Sequence, residues 1–224
     1  MHLHDRFAEF LSVSEIIEAT PALLNDQRRR FVSSPDIVLQ PNSVESVQKI
    51  MRFCFENRIR VTPQGGNTGL CGAAVTTTGV LLNLSKLNRV RDINLADNSM
   101  TVEAGVILQN AQKAAAEAGR LFPLSLASEG SCQIGGNIAC NAGGLNVLRY
   151  GSMRDLVLGL EVVLPNGELV SHLQPLHKNT TVYDLRHLFI GSEGTLGIIT
   201  AATLKLFAQP KTKATAWVGL DDIE

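Results

Sequence analysis

No run of apolar residues in the sequence approaches the roughly 18 that a membrane-crossing helix needs, so no transmembrane segment is expected. No basic block exceeds Arg28-Arg29-Arg30, and the formal net charge is −1. Nucleic-acid binding, which rests on clustered Lys and Arg against phosphates, is therefore excluded. Cysteine is scarce: Cys54, Cys71, Cys132 and Cys140 show neither CxxC spacing nor the density of a secreted disulfide framework. The start, MHLHDRFAEF, lacks the apolar core of a signal peptide and the Arg/Ser richness of a transit peptide. Together these absences describe a reduced, cytoplasmic chain. Metal chemistry has no footing either. His2 and His4 alternate within a terminal tail, and His172, His177 and His187 share no ligand spacing.

What is present alternates between helical and strand periods. In NSVESVQKIMRFCFENR, Val47, Ile50, Met51 and Cys54 recur at i, i+3, i+4 and i+7 behind Asn42 or Ser43 as cap, which predicts an amphipathic helix. RIRVTP predicts a short buried strand, GVLLNL a second, and VRDINLADNSMTVEAG a hairpin turning at Asp97-Asn98. VILQNAQKAAAEAG predicts a helix closed by Gly119. LVLGLEVVLPNGELV reads as two strands joined at Pro165-Asn166-Gly167. YDLRHLF predicts a short helix, LGIITAATLKLF a long strand, and WVGLDDIE the beginning of another.

Glycine is unevenly placed. Of 19 glycines, 12 fall in three clusters: Gly65 to Gly72, GSCQIGGNIACNAGG (130–144) and GSEGTLG (191–197). Glycine disfavours regular structure, so this concentration suggests three backbone walls around one extended ligand rather than three unrelated turns. No GK[ST] follows any of them, so there is no P-loop lysine. No GxGxxG lies between a strand and a helix, so the dinucleotide fingerprint is missing too. Yet Gly65-Gly66-Asn67-Thr68-Gly69 follows a strand, and successive amides in a turn can hold an anion without side-chain charge. A diphosphate would suit it, with Thr68 and Asn67 as added donors.

Taken together, TPQGGNTGL, GSCQIGGNIACNAGGLNVLRYGS and LFIGSEGTLGIIT resemble the FAD-binding (PCMH-type) domain of FAD-linked oxidases of the vanillyl-alcohol oxidase type. The D-2-hydroxyglutarate and D-lactate dehydrogenase branch is the most similar, from about Ser33 to Pro210. The resemblance implies an α+β fold of two subdomains with FAD between them. A small α/β subdomain (30–86) would carry the pyrophosphate loop. A larger, mostly antiparallel sheet flanked by helices (87–208) would form the other side. Residues 1–29 are expected to be a helical segment, and 209–224 the start of a substrate-binding cap.

Residue by residue, the resemblance assigns cofactor contacts to Pro63, Gln64, Gly65, Gly66, Asn67, Thr68, Gly69, Leu70 and Gly72 in the pyrophosphate loop. Ser131, Gly135, Gly136, Asn137, Ala139, Asn141, Gly143 and Gly144 follow along the diphosphate and flavin ring, with Tyr150 near the reactive side. Glu193, Gly194, Ile198 and Ile199 lie beside the ribityl and adenosine parts, and Glu103-Ala104-Gly105 resembles the strand end that meets the cofactor edge.

Two departures bear on chemistry. Covalent relatives have a His in the first loop where this chain has Asn67-Thr68, which implies non-covalent FAD. KNTTVYDL has Val182 where the family's comparable loop usually has Gly, so Lys178 and Tyr183 are left out of the site. The implied function is FAD-dependent oxidation of a small D-2-hydroxy acid to the 2-oxo acid. A glycolate oxidase subunit and a flavin- or nucleotide-binding module without turnover are the alternatives. Relatives place their catalytic and metal-binding histidines in the cap, and nothing after Pro210 resembles one. The chain therefore reads as a truncated, inactive portion with no assignable catalytic residue or electron acceptor. An uncovered flavin face would favour a homodimer.

Overall fold

The computed structural model describes residues 2–181 and 183–219. The chain opens with α1 (Leu3–Ala8), β1 (Ile16–Ile17) and α2 (Pro21–Leu24), then β2 (Ile37–Leu39), α3 (Val44–Glu56), β3 (Val61–Gln64) and β4 (Val80–Asn83). A hairpin of β5 (Val90–Asn94) and β6 (Ser99–Glu103) leads into α4 (Leu108–Glu117) and β7 (Arg120–Leu121). Three short helices come next: α5 (Ile134–Ala139), α6 (Val147–Tyr150) and α7 (Met153–Leu156). The chain then forms β8 (Val157–Val163), β9 (Leu169–His172), α8 (Arg186–Phe189), β10 (Ile198–Lys205) and β11 (Phe207–Ala208).

These elements form two principal sheets. The first has the order β1-β2-β4-β3, with β2 and β3 both parallel to β4 and β1 antiparallel at the edge. Its middle strands carry buried apolar runs (Ile37-Val38-Leu39, Val80-Leu81-Leu82), as parallel strands covered on both faces require. Covering one face is α3. Ser43 caps it, the hydroxyl accepting the Ser46 N–H at 3.1 Å, and Val47, Ile50, Met51 and Cys54 are its buried stripe. Each such side chain contributes roughly 1.5–3 kcal/mol on full burial. Burial pushes the Cys54 thiol up to about 12, which keeps it inert at neutral pH. Phe7 of α1 completes this core, its ring 4.9 Å from that of Phe53.

The second sheet is antiparallel, in the order β5-β6-β10-β8-β9. One face packs Met100, Val102, Val157, Leu160, Ala202 and Leu204 against α4, α5 and α7. The opposite face carries polar groups. Glu103 and Glu161 stand opposite Ala201 from either side, and Arg91 bridges them, its Nε 3.3 Å from Glu103 and its Nη2 3.0 Å from Glu161. Arg89 adds a second ion pair to Glu103 at 2.8 Å, and the buried Thr200 hydroxyl donates to Glu161 at 2.9 Å. The two cores meet at the beginning of β10. Ile198 packs in the first, with Leu84, Leu87 and Val163, while Ile199 packs in the second.

The α+β architecture agrees with the expectation, and most elements fall where the periodicity puts them. The Asp97-Asn98 hairpin has Asn98 at φ +50, and Gly119 follows α4 at φ +69. Four local differences have physical causes. β3 is half-buried rather than buried, because it is the edge strand. IGGNIA forms α5, despite its glycines, because Ile134 and Ile138 anchor it in the second core. The N-terminal stretch expected to be helical also supplies β1, whose Ile16 and Ile17 pair with Leu39 and Val38. Residues 217–219 carry no strand, and the rest of WVGLDDIE lies outside the described residues, as does Val182.

The Glu103 cluster makes stability depend on pH. Burial would raise the Glu103 carboxyl, but hydrogen bonds from the Arg89 side chain and backbone, and the charges of Arg89 and Arg91, outweigh it and hold the pKa below the ordinary carboxylate range. A depressed folded-state pKa stabilises above the unfolded value of about 4.3, and this is lost as pH falls through the folded-state pKa. Chemical denaturation from neutrality to acid should show Glu103→Gln less stable than the parent at neutral pH. The difference should shrink below about pH 4.3. A difference that does not change with pH would refute the assignment.

Candidate cofactor site

A cavity of about 270 Å³ opens where the two cores meet, and all three glycine clusters reach it. The first arrives from β3, at the carboxyl end of a parallel strand, where open α/β sheets commonly bind ligands. Gln64 is buried and faces the cavity, but its amide holds the loop in place: Nε2 donates to the Leu23 carbonyl at 2.9 Å, and Oε1 accepts from Asn83 at 3.3 Å. Asn67 does the same, with φ +51 and its Nδ2 donating to the carbonyls of Ala22 and Asn25 at 3.1 and 2.6 Å. The side chains of Gln64 and Asn67 thus bind protein, while Thr68 and the main chain of the loop line the cavity. None of the backbone N–H groups of residues 66–70 donates to a backbone carbonyl among the described residues. That arrangement suits an anion held by main-chain amides.

The second cluster contributes α5, which is fixed by the Gly135 N–H donating to the Ala104 carbonyl at 2.7 Å and the Ile134 N–H donating to that of Val106 at 2.9 Å. The third wedges between the other two. Glu193 adopts φ +51, and its N–H donates to the Ala139 carbonyl at 2.9 Å, while Gly194 lies against the Pro63 ring. The remaining walls come from strand ends: Leu84 after β4, Ala104 after β6, and Ile198 and Ile199 of β10.

Of the residues assigned from the sequence, Pro63 to Gly69, Gly135, Gly136, Asn137, Ala139, Glu193, Gly194, Ile198 and Ile199 line the cavity. The other seven do not. Leu70 and Gly72 lie beyond the turn of the first loop, Gly72 against Phe31. Ser131 offers its main chain to Gly66, and its hydroxyl donates to the Ser128 carbonyl at 3.3 Å. Asn141 is a left-handed turn residue (φ +48) whose Oδ1 accepts the Arg154 N–H at 2.9 Å. Gly143 packs on Val147, and Gly144 on the Ser125 carbonyl. Tyr150 packs edge-on against Phe207, with ring centroids 4.8 Å apart. Glu103 points away from the cavity to Arg89 and Arg91, and only its neighbour Ala104 reaches the wall.

Sequence reasoning missed Ala73, Ala74, Leu84, Leu126, Ser128, Gln133, Cys140, Ala142 and Gly197. Six of them, Ala73, Ala74, Leu84, Leu126, Ala142 and Gly197, are apolar residues without a chemical signature. Gln133 is different, because its position between two recognised glycines could have drawn notice.

The lining is nearly uncharged. Among the described residues it contains no Lys, Arg or His, and Glu193 is its one carboxylate. Desolvation, and to a lesser degree Glu193 and Cys71, push the Cys140 thiol above its ordinary value. Two buried polar atoms on the wall, Gln133 Oε1 and Asn137 Nδ2, have no hydrogen-bond partner. Each such orphan costs about 1–3 kcal/mol until a ligand supplies a partner.

The family model for an FAD binding domain matches residues 35–172, more than half of the chain. The chain belongs to the FAD binding domain family. Its curated relatives include the D-2-hydroxyglutarate–pyruvate transhydrogenase of Saccharomyces cerevisiae, 40% identical over 97% of this chain and 45% of the relative. The D-2-hydroxyglutarate dehydrogenase of Xanthomonas citri pv. viticola is 48% identical over 83% of this chain and 39% of that protein. The chain thus spans less than half the length of these relatives. Among solved structures, alkyldihydroxyacetonephosphate synthase aligns with a TM-score of 0.80 at 22% identity, covering 93% of this chain and 41% of that one. For 6-hydroxy-D-nicotine oxidase from Arthrobacter nicotinovorans the TM-score is 0.74 at 21% identity, covering 88% and 43%. These likenesses establish the same fold, and FAD is the cofactor of the family.

The residues present fit FAD. The 66–69 turn offers donors for a diphosphate, the orphaned amides offer partners for a heterocycle, and the small side chains leave room for flat rings. Gly136 separates ligand space from protein space. A Cβ there would meet nothing within 4 Å, whereas one on Gly66 would collide with the Ser131 carbonyl. Gly136→Leu should therefore keep its unfolding midpoint without FAD and lose FAD affinity at least tenfold, about 1.4 kcal/mol. Gly66→Val should lose fold stability as well, and exposed Lys113→Ala neither. Undiminished FAD binding by Gly136→Leu, read by fluorescence titration, would remove the ligand from this wall.

Proposed function

We propose that the chain is the FAD-binding part of an oxidoreductase that converts a D-2-hydroxy acid to its 2-oxo acid, with D-2-hydroxyglutarate the leading substrate and D-lactate the second. The observation that carries this reading is a nearly uncharged cleft walled by three glycine clusters in a chain 40–48% identical to proteins named for D-2-hydroxyglutarate. A further relative, in Schizosaccharomyces pombe, is named a putative D-lactate dehydrogenase. FAD, once held in this cleft, would supply the two-electron redox chemistry needed at C2 of the hydroxy acid.

This chain's residues hold and orient the cofactor. Main-chain amides of 66–69 take the diphosphate, and Ala104, Gly136 and Ala142 leave flat space for rings. Ile198, Ile199 and Leu84 exclude water from one side. In this reading the base for the substrate hydroxyl and the cations for its carboxylates come from outside these 224 residues, because the cavity lining has no Lys, Arg or His. Among the described residues no group of three or more His, Cys, Asp or Glu could hold a metal.

FAD attachment is non-covalent in the same reading. The first loop has no His, and the raised Cys140 thiol is a poor nucleophile. Acid precipitation should release the flavin colour into the supernatant, and colour retained in the pellet would refute this.

The four cysteines are free, which suits a reducing compartment; we place the protein in the cytoplasm, although the Danio rerio and Bos taurus relatives are named mitochondrial. Among the described residues no helix is long and apolar enough to cross a membrane. Leu145 and Leu148, 91% and 99% exposed shortly after the cavity residue Ala142, support self-association as a homodimer.

The decisive experiment is a chimera in which this chain replaces the matching portion of the yeast transhydrogenase. The chimera should oxidise D-2-hydroxyglutarate and spare the L-enantiomer. The FAD-loaded chain alone, mixed anaerobically with D-2-hydroxyglutarate or D-lactate, should show no rapid flavin bleaching. It lacks the positioning worth roughly 7–11 kcal/mol and a base worth about 10²- to 10⁴-fold. A chimera that binds FAD but leaves both acids untouched would overturn the proposed activity. Rapid, stereospecific bleaching by the chain alone would overturn the division of labour.

A further inference from the structure

One face of α5 carries a feature that cofactor binding in general does not require. Gly136 and Asn137 lie within the helix and Gln133 is the extended residue that precedes its first turn, and all three line the cavity. Ile134 and Ile138 sit in the second core and fix the helix in that orientation. At Gly136 the backbone lies bare, since a Cβ would meet nothing within 4 Å. Beside this strip stand two amide side chains, Gln133 and Asn137, only 8% and 5% exposed. Their Oε1 and Nδ2 atoms nevertheless have no partner. Gln133 also reaches the first loop: a Cβ on Gly65 would lie 3.4 Å from its Oε1.

The chemistry of these groups narrows what they meet. A phosphate oxygen accepts hydrogen bonds and cannot satisfy an amide carbonyl, and neither side chain brings a charge. A hydrocarbon would leave both atoms orphaned. A flat ring lying on bare backbone, with an N–H or amino group next to a carbonyl or ring nitrogen, satisfies both. Because each amide carries a donor and an acceptor on one rotatable group, the pair can present them in either order.

We propose that Gln133 and Asn137 read the hydrogen-bonding edge of a planar nitrogen heterocycle of FAD, with Gly136 as the shelf on which the ring lies. The flavin carries such an edge as a ring N–H between two carbonyls, and the adenine as a ring nitrogen beside an amino group. The inference rests on FAD occupying the cavity. It assigns specificity for the heterocycle to two side chains, whereas the first loop holds the phosphates by main chain alone.

Gln133→Met and Asn137→Leu remove the amides at similar volume. Each variant of the 224-residue chain is titrated calorimetrically with FAD, FMN and ADP, and its unfolding midpoint is measured without ligand. FAD affinity should fall about tenfold, or about 1.4 kcal/mol. The ligand-free midpoint should stay level or rise, because an unsatisfied buried atom has been removed. A loss shared with FMN but not ADP assigns the flavin edge, and one shared with ADP but not FMN the adenine edge. Undiminished FAD binding by both variants would overturn the inference alone. So would weaker binding matched by a lower ligand-free midpoint, which would mark the amides as structural. Failure of the unaltered chain to bind FAD would overturn the cofactor reading, and this inference with it.

Discussion

Three loops far apart in the chain have to touch main chain to main chain, and the cavity exists only because they do. Gly66 lies so close to the Ser131 carbonyl that any side chain would force the first and second clusters apart. Gly135 is pressed against Ala104, which brings the end of β6 to the same wall. A close-packed interior has no slack to absorb a misplaced Cβ at such contacts. Much of the glycine in this sequence thus serves contacts within the protein, and a smaller share, of which Gly136 is the clearest case, leaves space for a ligand.

This division explains what the sequence disclosed and what it hid. Amphipathic periodicity found the buried stripe of α3 to the residue, because Val47, Ile50, Met51 and Cys54 answer to one neighbouring sheet. It failed for α5, where only Ile134 and Ile138 carry the pattern and the intervening glycines argue against a helix. The glycine motifs located the cavity but could not distinguish contact with ligand from contact with protein. Asn141, Gly143, Gly144 and Tyr150 lie off the cavity lining and pack against neighbouring helix, loop and strand. Ala73, Ala74 and Ala142 escaped notice because a small apolar wall has no chemical mark, and its role appears only once the chain is folded.

Charge is distributed in the opposite sense to what a dinucleotide site suggests. The strongest ionic cluster, Arg89, Arg91, Glu103 and Glu161, sits on the far side of the second sheet, while the cavity has a single carboxylate. Glu103 precedes Ala104, and Glu161 accepts from Thr200, the neighbour of Ile199. Ions on one face therefore hold the strand ends whose other neighbours form the neutral wall. Anchoring and recognition are separated by one residue along the strand, which the alternation of side chains makes available.

The meeting of two cores around the cavity carries a consequence for the life of the protein in a cell. A molecule lodged between Leu84 and Ile198 on one side and Ala104 and Ile199 on the other becomes part of the seam that joins both halves. A ligand that binds only the folded chain raises its stability by RT ln(1 + [L]/Kd), about 2.7 kcal/mol at a hundredfold excess over Kd. Chains made when cofactor is short would open more often along that seam and meet proteases there. The abundance of the protein, and not only its chemistry, would then follow the supply of riboflavin-derived cofactor.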